Sequence, residues 1–232
     1  MSETYNWRIL QNGDLPLQPN GDIHVLVEHR CSAVLVWPEN SEPSAENTIL
    51  VDPCFTAAGY DHALGELARL KITFRDIGRY LITHLHGDHM LHLPSGLVGV
   101  QLRPLRPPVN EGLALESLPG HHDIQLGLTL TDTEGRAVWI VGDAILGEDW
   151  LRAWQYYWPN GYTAAEIVET WRSVARIMAQ AELVIPGHAA PFAVTPDLIR
   201  DLIAAFPRAR HADQCPDVRQ TLQTRLASFE GD

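Results

Sequence analysis

The sequence predicts an α/β (α+β) fold, and two observations carry this prediction. Short apolar or β-branched runs recur along the chain between turn-forming residues, which is typical of β-strands. Two longer segments, 57–70 and 163–180, place apolar residues at the spacing of an amphipathic helix. With 232 residues, of which 45% are hydrophobic and 20% charged, the chain can bury a full core as one large domain or two intimate halves.

The predicted strands are apolar runs, several of which lead into residues that can bind a metal. The first two runs form a predicted hairpin around the polar segment 28–30. In chain order the runs are Ile23–Val27, Ala33–Trp37, Thr48–Val51, Tyr80–Ile82, Leu113–Leu118, Ile124–Thr131, Ala137–Val141 and Leu183–Ile185.

The predicted helices have recognisable starts. Thr163 is the expected N-cap of the second long helix, with Glu166 at its third position. Thr73 and Asp76 have the same relation in a turn or short helix that ends at Ile77. The remaining predicted helices are Ala57–Leu70, a short start at Met90–Leu93, and two C-terminal helices from Pro196 to about Phe206 and from Val218 to Phe229.

The most informative stretch follows the run Tyr80–Ile82. Three histidines and one carboxylate fall within six residues, in the segment Thr83–His89. Side chains alternate in an extended segment, so His84 and His86 are expected to point the same way, while Gly87 is expected to let the backbone turn. Imidazole nitrogen and carboxylate oxygen suit zinc, iron or manganese. The absence of cysteine from the run argues against a thiolate-rich structural zinc site.

The same arrangement recurs at four predicted strand ends. Each time an apolar run is followed by a small residue, a proline or a threonine and then by a residue that can bind a metal. These residues are His84, His121, Asp143 and His188. Strand ends gather at one edge of a sheet, so distant residues can meet there. The simpler alternative is that His121 and Asp143 only cap turns. Asp52 also ends a strand, either as a turn former or as a carboxylate that orients a histidine ligand.

The composition limits the classes of partner. The formal net charge is −12, and Lys71 is the one lysine of the chain, which disfavours a broad nucleic-acid surface without excluding a small phosphorylated substrate. Arg103 and Arg106 add local positive charge to the stiff segment 103–112, which either meets an anionic substrate or is a solvated loop.

Cysteine usage and the N-terminal sequence predict a cytoplasmic protein. The three cysteines, Cys31, Cys54 and Cys215, are scattered and do not suggest a disulfide framework. The N-terminal residues lack the pattern of a signal peptide, and no apolar run reaches transmembrane length.

A dense aromatic stretch follows Asp143. Trp150, Trp154 and Trp158 recur every four residues, so a helical segment would stack them on one face, with Tyr157 nearby. Two interpretations remain open: a buried core stripe, or an apolar wall that contacts the substrate.

In their order along the chain, the segments Thr83–His89, Pro119–His121, Gly142–Asp143 and Pro186–His188 resemble the metallo-beta-lactamase fold superfamily of hydrolases, over roughly residues 22–193. The closing segment 183–192 is similar to small metallo-beta-lactamase domain-containing proteins. The resemblance implies a four-layer αβ/βα sandwich with the metals at one edge, between two sheets. We therefore expect residues 1–232 to form a single domain, with its core at about 22–193. The helical extension at about 195–232 would cover the sandwich or mediate self-association, as in a homo-oligomer.

The resemblance also assigns residues to the metals. It places His84, His86 and His121 on the first metal, and Asp88, His89 and His188 on the second, with Asp143 bridging both and Asp52 as the acid behind a ligand. Its ligand position directly after Pro-Gly favours His121 over the neighbouring His122.

Departures from the family pattern narrow the expected class. The segment 52–54 is Asp-Pro-Cys where Asp-Thr-Gly is common, and Met90 and Leu91 stand where a glycine usually follows. A bridging Asp143 distinguishes the chain from the true beta-lactamases. The presence of His86 in place of glutamate disfavours the flavin-linked diiron reductases of the same fold.

The expected activity is hydrolysis of an ester, thioester or lactone of a small molecule. Two divalent ions about 3.5 to 4 Å apart, with zinc favoured over iron or manganese, would supply hydroxide at neutral pH. Asp88 would orient the attacking water and accept its proton. The alternatives are a mononuclear iron dioxygenase using His84, His121 and Asp143, a phosphodiesterase or nuclease, and a binding relic, which would be expected to have lost a ligand.

Overall fold

The computed structural model describes residues 3–16, 28–96, 99–155 and 161–231. Within these residues, ten strands form two five-stranded sheets. The first sheet has the order β1 (Tyr5–Gln11), β2 (Ala33–Pro38), β3 (Ile49–Val51), β4 (Arg79–Leu81) and β5 (Arg103–Pro104). In the second sheet the chain-order strands β6 (Leu113–Ser117), β7 (Leu126–Thr131), β8 (Ala137–Gly142), β9 (Leu183–Pro186) and β10 (Phe192–Ala193) lie side by side in sequence order.

Five α-helices accompany the sheets in the described part of the chain. They are α1 (Ala57–Arg69), α2 (Glu148–Arg152), α3 (Ala164–Gln180), α4 (Pro196–Ala205) and α5 (Pro216–Glu230). Short 3₁₀ turns lie at Phe74–Asp76, Phe206–Arg208 and Ala212–Gln214.

The two sheets pack face to face and each is covered by helices on its other face. Val34 and Val36 of β2 join Val138 and Ile140 of β8 in the apolar layer between the sheets. The intervening residue Leu35 points to the opposite face of β2 and packs in the cluster that contains α1. Because these strands are buried on both faces, they are apolar at nearly every position. The predicted four-layer αβ/βα sandwich is confirmed.

The second helical layer is built by α3 together with the C-terminal helices. Trp171 of α3, Leu202 of α4 and Leu222 of α5 belong to one buried cluster, which also contains Trp139 of β8. The helices α4 and α5 therefore continue the outer layer over the second sheet. Within the described residues, no helix combines the length and apolar character needed to cross a bilayer.

Several local predictions are confirmed with their physical cause. Thr163 caps α3, and Glu166 Oε2 accepts hydrogen bonds from the Thr163 backbone N–H at 2.6 Å and hydroxyl at 2.8 Å. Thr73 and Asp76 form the same capping box at the 3₁₀ turn. The helix from Ala57 and the strands from Ala33 onward lie within one or two residues of their predicted bounds.

Other local predictions differ from the structure. The run Ile23–Val27 lies outside the described residues, and β2 pairs instead with β1, which we did not predict. Met90–Leu93 forms no helix, because the chain there is extended and His92 bridges to Cys54. The proline-rich segment 103–112 contributes the short edge strand β5, where prolines are tolerated because the outer N–H groups have no ladder partner.

Removal of the α3 cap tests how much this local signal stabilises the fold. We expect Thr163→Ala to lower the free energy of unfolding by about 1 kcal/mol, because the Glu166 backbone N–H loses its acceptor and the Glu166 carboxylate loses the hydroxyl donor. The matched control is Thr224→Ala, an exposed threonine inside α5, which we expect to change stability by less than about 0.5 kcal/mol. Urea denaturation measures both. Equal effects of the two substitutions would contradict the capping account.

Candidate metal centre

The candidate site lies where strands of both sheets end. The segment Thr83–His89 follows β4 of the first sheet. In the second sheet β8 and β9 are parallel neighbours, and Gly142 pairs with Pro186. Asp143 and His188 follow these two residues, so both side chains reach the same edge.

The potential metal donors fall into two groups. Within each group the donor atoms all lie within 4.8 Å of one another. The first group is His84, His86, His121 and Asp143, and the second is Asp88, His89 and His188. The seven residues that we predicted as ligands therefore lie in two groups at this edge, with Asp143 in the first, and their binding of metal stays a prediction.

Asp143 stands between the two groups, and each carboxylate oxygen faces one of them. Oδ1 lies 3.1 Å from His89 Nε2 and 3.2 Å from His188 Nε2. Oδ2 lies 3.4 Å from His121 Nε2 and 3.7 Å from His84 Nε2. Oδ1 is fully buried and has no hydrogen-bond partner among the described residues. A buried carboxylate oxygen without a partner is costly unless a positive charge compensates it.

The first group presents neutral imidazole nitrogens to one another. His86 Nδ1 lies 3.0 Å from His84 Nε2 and 3.1 Å from His121 Nε2. Burial lowers the pKa of His84 to about 2 and the pKa of His121 to about 4, and it also lowers the pKa of His86. Unprotonated nitrogens that converge in this way are the form in which imidazole binds a metal.

In the second group, nearby carboxylates favour the protonated form of the histidines. Burial disfavours the charged form of His89, but the carboxylates of Asp143 and Asp52 together hold the pKa of His89 well above its ordinary value. The pKa of His188 is raised for the same reason, chiefly by Asp143 against the effect of burial. Burial opposes ionisation of Asp143, yet His188 and His89 hold the pKa of its carboxyl well below the ordinary value.

Hydrogen bonds behind the donors fix which ring nitrogen faces the site. Asp52 accepts from the Thr83 backbone N–H and hydroxyl, both at 2.7 Å, and from His89 Nδ1 at 2.8 Å. His188 Nδ1 donates to the Arg30 carbonyl at 2.9 Å. In both histidines Nδ1 is bonded behind the site, so Nε2 is the ring nitrogen that faces Asp143. Thr83 Oγ1 gives its hydrogen to Asp52 and can accept from His84 Nδ1 at 3.2 Å.

Two glycines are required by close approach at this edge. A Cβ on Gly187 would lie 2.0 Å from Asp143 Oδ1. Gly142 has a positive φ of 50°, and a Cβ there would lie 2.3 Å from Thr83 Oγ1. By contrast, Gly87 lacks a positive φ and has open space around its Cα. The backbone does turn there, as predicted, and the His89 N–H donates to the His86 carbonyl at 3.0 Å.

Three further side chains surround the donors. His122 Nδ1 accepts the Ile124 backbone N–H at 3.0 Å and stays outside both groups. The Tyr162 hydroxyl lies 3.3 Å from His121 Nδ1. His29 Nε2 lies 3.4 Å from Asp88 Oδ2, a contact that the sequence analysis missed because His29 stands alone in a polar segment.

The aromatic stretch divides between core and site. Trp154 is buried against Trp171 and Phe206 and donates to the Leu202 carbonyl at 3.0 Å, so it belongs to the core. The helix α2 ends at Arg152, so no continuous helical face carries the tryptophans. Trp150 lines a cavity of about 20 Å³ beside His121 and Asp143, with room for about one water. The predicted substrate contacts Tyr157 and Trp158 lie outside the described residues.

The sandwich and its two donor groups together define a class. Imidazole nitrogens and carboxylate oxygens, with an uncompensated buried oxygen at their centre, fit divalent metal ions. A candidate metal site of this kind, at the edge between the sheets of an αβ/βα sandwich, resembles that of metallo-beta-lactamase fold proteins, to which the chain is similar in sequence and fold.

Similar sequences and structures agree with this class. The chain is 27% identical over 216 residues to metallo-beta-lactamase domain-containing protein 1 of Xenopus laevis, covering 82% of this chain and 88% of that protein. The rat protein of the same name is 28% identical over 165 residues, a match that covers 60% of this chain and 61% of that protein. No protein-family model matches the sequence.

Solved structures share the fold at low sequence identity. A probable metal-dependent hydrolase from Staphylococcus aureus superposes with a TM-score of 0.57 and 14% identity, over 85% of this chain and 95% of that chain. A quorum-quenching N-acyl homoserine lactone hydrolase superposes with a TM-score of 0.52 and 14% identity, over 82% of this chain and 93% of that chain.

Asp52 offers a test of the hydrogen bonds behind the donors. We expect Asp52→Ala to weaken metal affinity by about 10- to 100-fold, because His89 loses the acceptor that fixes its ring orientation. Competition with a chelator of known affinity measures the change. The control is Asp61→Ala, an exposed aspartate of α1. Unchanged affinity in a folded Asp52→Ala variant would contradict this role.

The adjacent histidines 121 and 122 form a matched pair. We expect His121→Ala to lower the metal content of the purified protein, because His121 Nε2 faces both His86 and Asp143. We expect His122→Ala to leave the metal content unchanged, because its ring lies outside both donor groups. Elemental analysis of the two variants checks this, and the reverse result would exchange their roles.

Proposed function

We propose that the chain is a dinuclear metal-dependent hydrolase that acts on an ester, thioester or lactone of a small molecule. One observation carries the proposal: the two oxygens of the buried Asp143 carboxylate face different donor groups. A carboxylate in this position can bridge two ions about 3.5 to 4 Å apart, as in two-metal hydrolases.

The number of donors also supports two ions. Seven side chains exceed the four ligands that a tetrahedral zinc ion takes, whereas two sets that share Asp143 suit a pair. Nitrogen-rich sets favour zinc, with iron and manganese as alternatives. A mononuclear iron dioxygenase would use His84, His121 and Asp143 alone, and it would leave the second group, with its own hydrogen-bonded supports, without a role.

The bound ions would supply Lewis acidity and a water that ionises near neutral pH. Asp88 is the proposed proton acceptor. Its side chain is 24% exposed, whereas that of Asp143 is 3% exposed, so Asp88 is the carboxylate donor that solvent and substrate can reach. Asp88 Oδ2 lies 3.4 Å from His188 Nε2, which keeps the carboxylate directed at the second group while it orients the attacking water.

Exposed apolar side chains close in sequence to the metal donors support a substrate with an apolar part. Leu85, Met90 and Ile124 are 56%, 41% and 58% exposed, and each lies within three residues of a metal donor. Trp150 adds an apolar surface beside His121. Large exposed apolar side chains that cluster at a polar site are typical of binding surfaces.

Metal content and a substrate panel test the proposal together. We expect about two divalent ions per chain in protein purified without added metal. We also expect hydrolysis of p-nitrophenyl esters, thioesters or lactones that is faster than hydrolysis of bis-p-nitrophenyl phosphate. N-acyl homoserine lactones belong in the panel because a hydrolase of these compounds shares the fold. A single iron per chain, or turnover of phosphodiesters alone, would overturn the proposal.

The bridging role of Asp143 has its own test. We expect Asp143→Ala to lower kcat/KM at least about 100-fold and to lower metal content, because both groups lose a shared donor. The control is Asp123→Ala, an exposed aspartate two residues from the donor His121, which we expect to retain activity and metal. Wild-type turnover in Asp143→Ala would refute the bridging assignment.

A further inference from the structure

A groove at the edge of the first sheet carries a concentration of positive charge. It has a volume of about 690 Å³ and is lined by Arg75, Arg79, Arg103 and Arg106. Glu46 is the one acidic residue among its lining residues, and its carboxylate accepts a hydrogen bond from Ser44 at 2.9 Å. The chain as a whole has a formal net charge of −12, so the sign of the groove is opposite to that of the molecule.

Among the described residues, none of these four arginines forms an ion pair. The arginines that pair with carboxylates in the described part of the chain are others, namely Arg8, Arg30, Arg69, Arg136, Arg152, Arg172, Arg176 and Arg200. Across residues 3–16, 28–96, 99–155 and 161–231, no carboxylate oxygen lies within 4.0 Å of a guanidinium nitrogen of the groove arginines. The groove charges are therefore available to an anion.

Arg79 is the most enclosed of the four. Its two terminal nitrogens make long hydrogen bonds to neutral oxygens, at 3.3 Å to Asn110 Oδ1 and 3.4 Å to the Glu46 carbonyl. Its Nε is buried and has no hydrogen-bond partner among the described residues. A buried guanidinium nitrogen without an acceptor is costly and calls for an oxygen ligand.

The Arg75 guanidinium group packs closely on the backbone of Gly99. A Cβ built on Gly99 would lie 2.9 Å from Arg75 Nε, and Gly99 has a positive φ of 76°. The guanidinium group therefore packs directly on a residue that only glycine suits. Arg103 and Arg106 are exposed on and beside β5, and Arg103 pairs in register with Arg79 on β4. The positive charges therefore come from the neighbouring strands β4 and β5, from the residue Arg106 after β5, and from the 3₁₀ turn Phe74–Asp76.

We propose that this groove binds a small anion that carries two or more phosphate groups. The planar guanidinium fork matches phosphate oxygens in pairs, and several guanidinium groups in one groove favour several phosphates. A peptide strand added to β5 is disfavoured, because this strand has two residues and Pro104, Pro107 and Pro108 remove N–H groups from the edge. Nucleic acid is disfavoured by the strong negative charge elsewhere.

The groove is separate from the metal centre. Arg79 is the first residue of β4, and the metal donors follow Leu81, its last residue. None of the seven donors lines the groove. The proposal therefore stands independently of the hydrolase activity.

Titration of the full chain with inorganic triphosphate tests the proposal. We expect saturable binding that weakens as salt is raised. We expect Arg79→Gln, and separately Arg103→Gln combined with Arg106→Gln, to raise Kd at least about tenfold, because each removes charge-assisted hydrogen bonds. The matched control is Arg200→Gln, an exposed arginine of α4 already paired with Asp197, which we expect to bind as wild type does. Arg103 and Arg106 are exposed, so their double variant carries the test should Arg79→Gln unfold.

Two further measurements separate the groove from the metal centre, which also attracts anions once metal is bound. We expect Asp143→Ala to retain triphosphate binding, and Asp88→Asn serves the same purpose should that variant unfold. In arginine-selective ¹H–¹⁵N spectra we expect the Arg79 Nε–H resonance to shift on titration. The proposal is overturned by absence of binding, by equal binding in wild type and groove variants, or by binding that follows Asp143 rather than the arginines. Binding of single-stranded DNA without binding of triphosphate would also overturn it.

Discussion

The structure depends on one constraint, the burial of the Asp143 carboxylate between two groups of histidines. Burial of an ionised carboxylate costs several kcal/mol unless positive charge compensates it. Here Oδ1 has no hydrogen-bond partner among the described residues, and the ring nitrogens of His89 and His188 lie 3.1 and 3.2 Å from it. The fold therefore keeps a negatively charged carboxylate at a buried position. The surrounding imidazoles leave this position suited to positive ions that would compensate the charge.

Both sheets must stack before this arrangement exists. The first sheet supplies Asp52 and the segment 83–89, and the second supplies His121, Asp143 and His188. Backbone hydrogen bonds join the two halves at this edge: Leu126 N–H donates to the Thr83 carbonyl at 2.8 Å, and Ser32 N–H donates to the Gly187 carbonyl at 2.6 Å. The apolar layer between the sheets thus determines where the donors lie, although none of its residues is itself a donor.

Local signals in the sequence predicted much of the fold and of the candidate site. The features that were not predicted depend on contacts between residues far apart in the sequence. Strands such as β2 are apolar on both faces, and the capping box of α3 is a local pattern, so both were predictable. The strand β1 alternates weakly and is defined by its pairing with β2, and His29 is distinguished only by its contact with Asp88. Trp154 was ambiguous because helical spacing does not distinguish a core stripe from a cleft wall; its contact with Trp171 decides for the core.

Metal binding and folding are coupled in such a site. Donors from two sheets bind ions only when the sheets are stacked, so metal stabilises the folded chain in proportion to the logarithm of its concentration over Kd. The hydrogen bonds behind the donors also favour metal binding by the folded chain, because Asp52 orients Thr83 and His89 before any ion binds. Close approaches such as that of Gly187 to Asp143 belong to the same arrangement, since the Asp143 carboxylate faces both groups and leaves no room for a side chain at position 187. A site built this way keeps its donors preorganised, and preorganised donors lose less conformational entropy on binding than mobile ones.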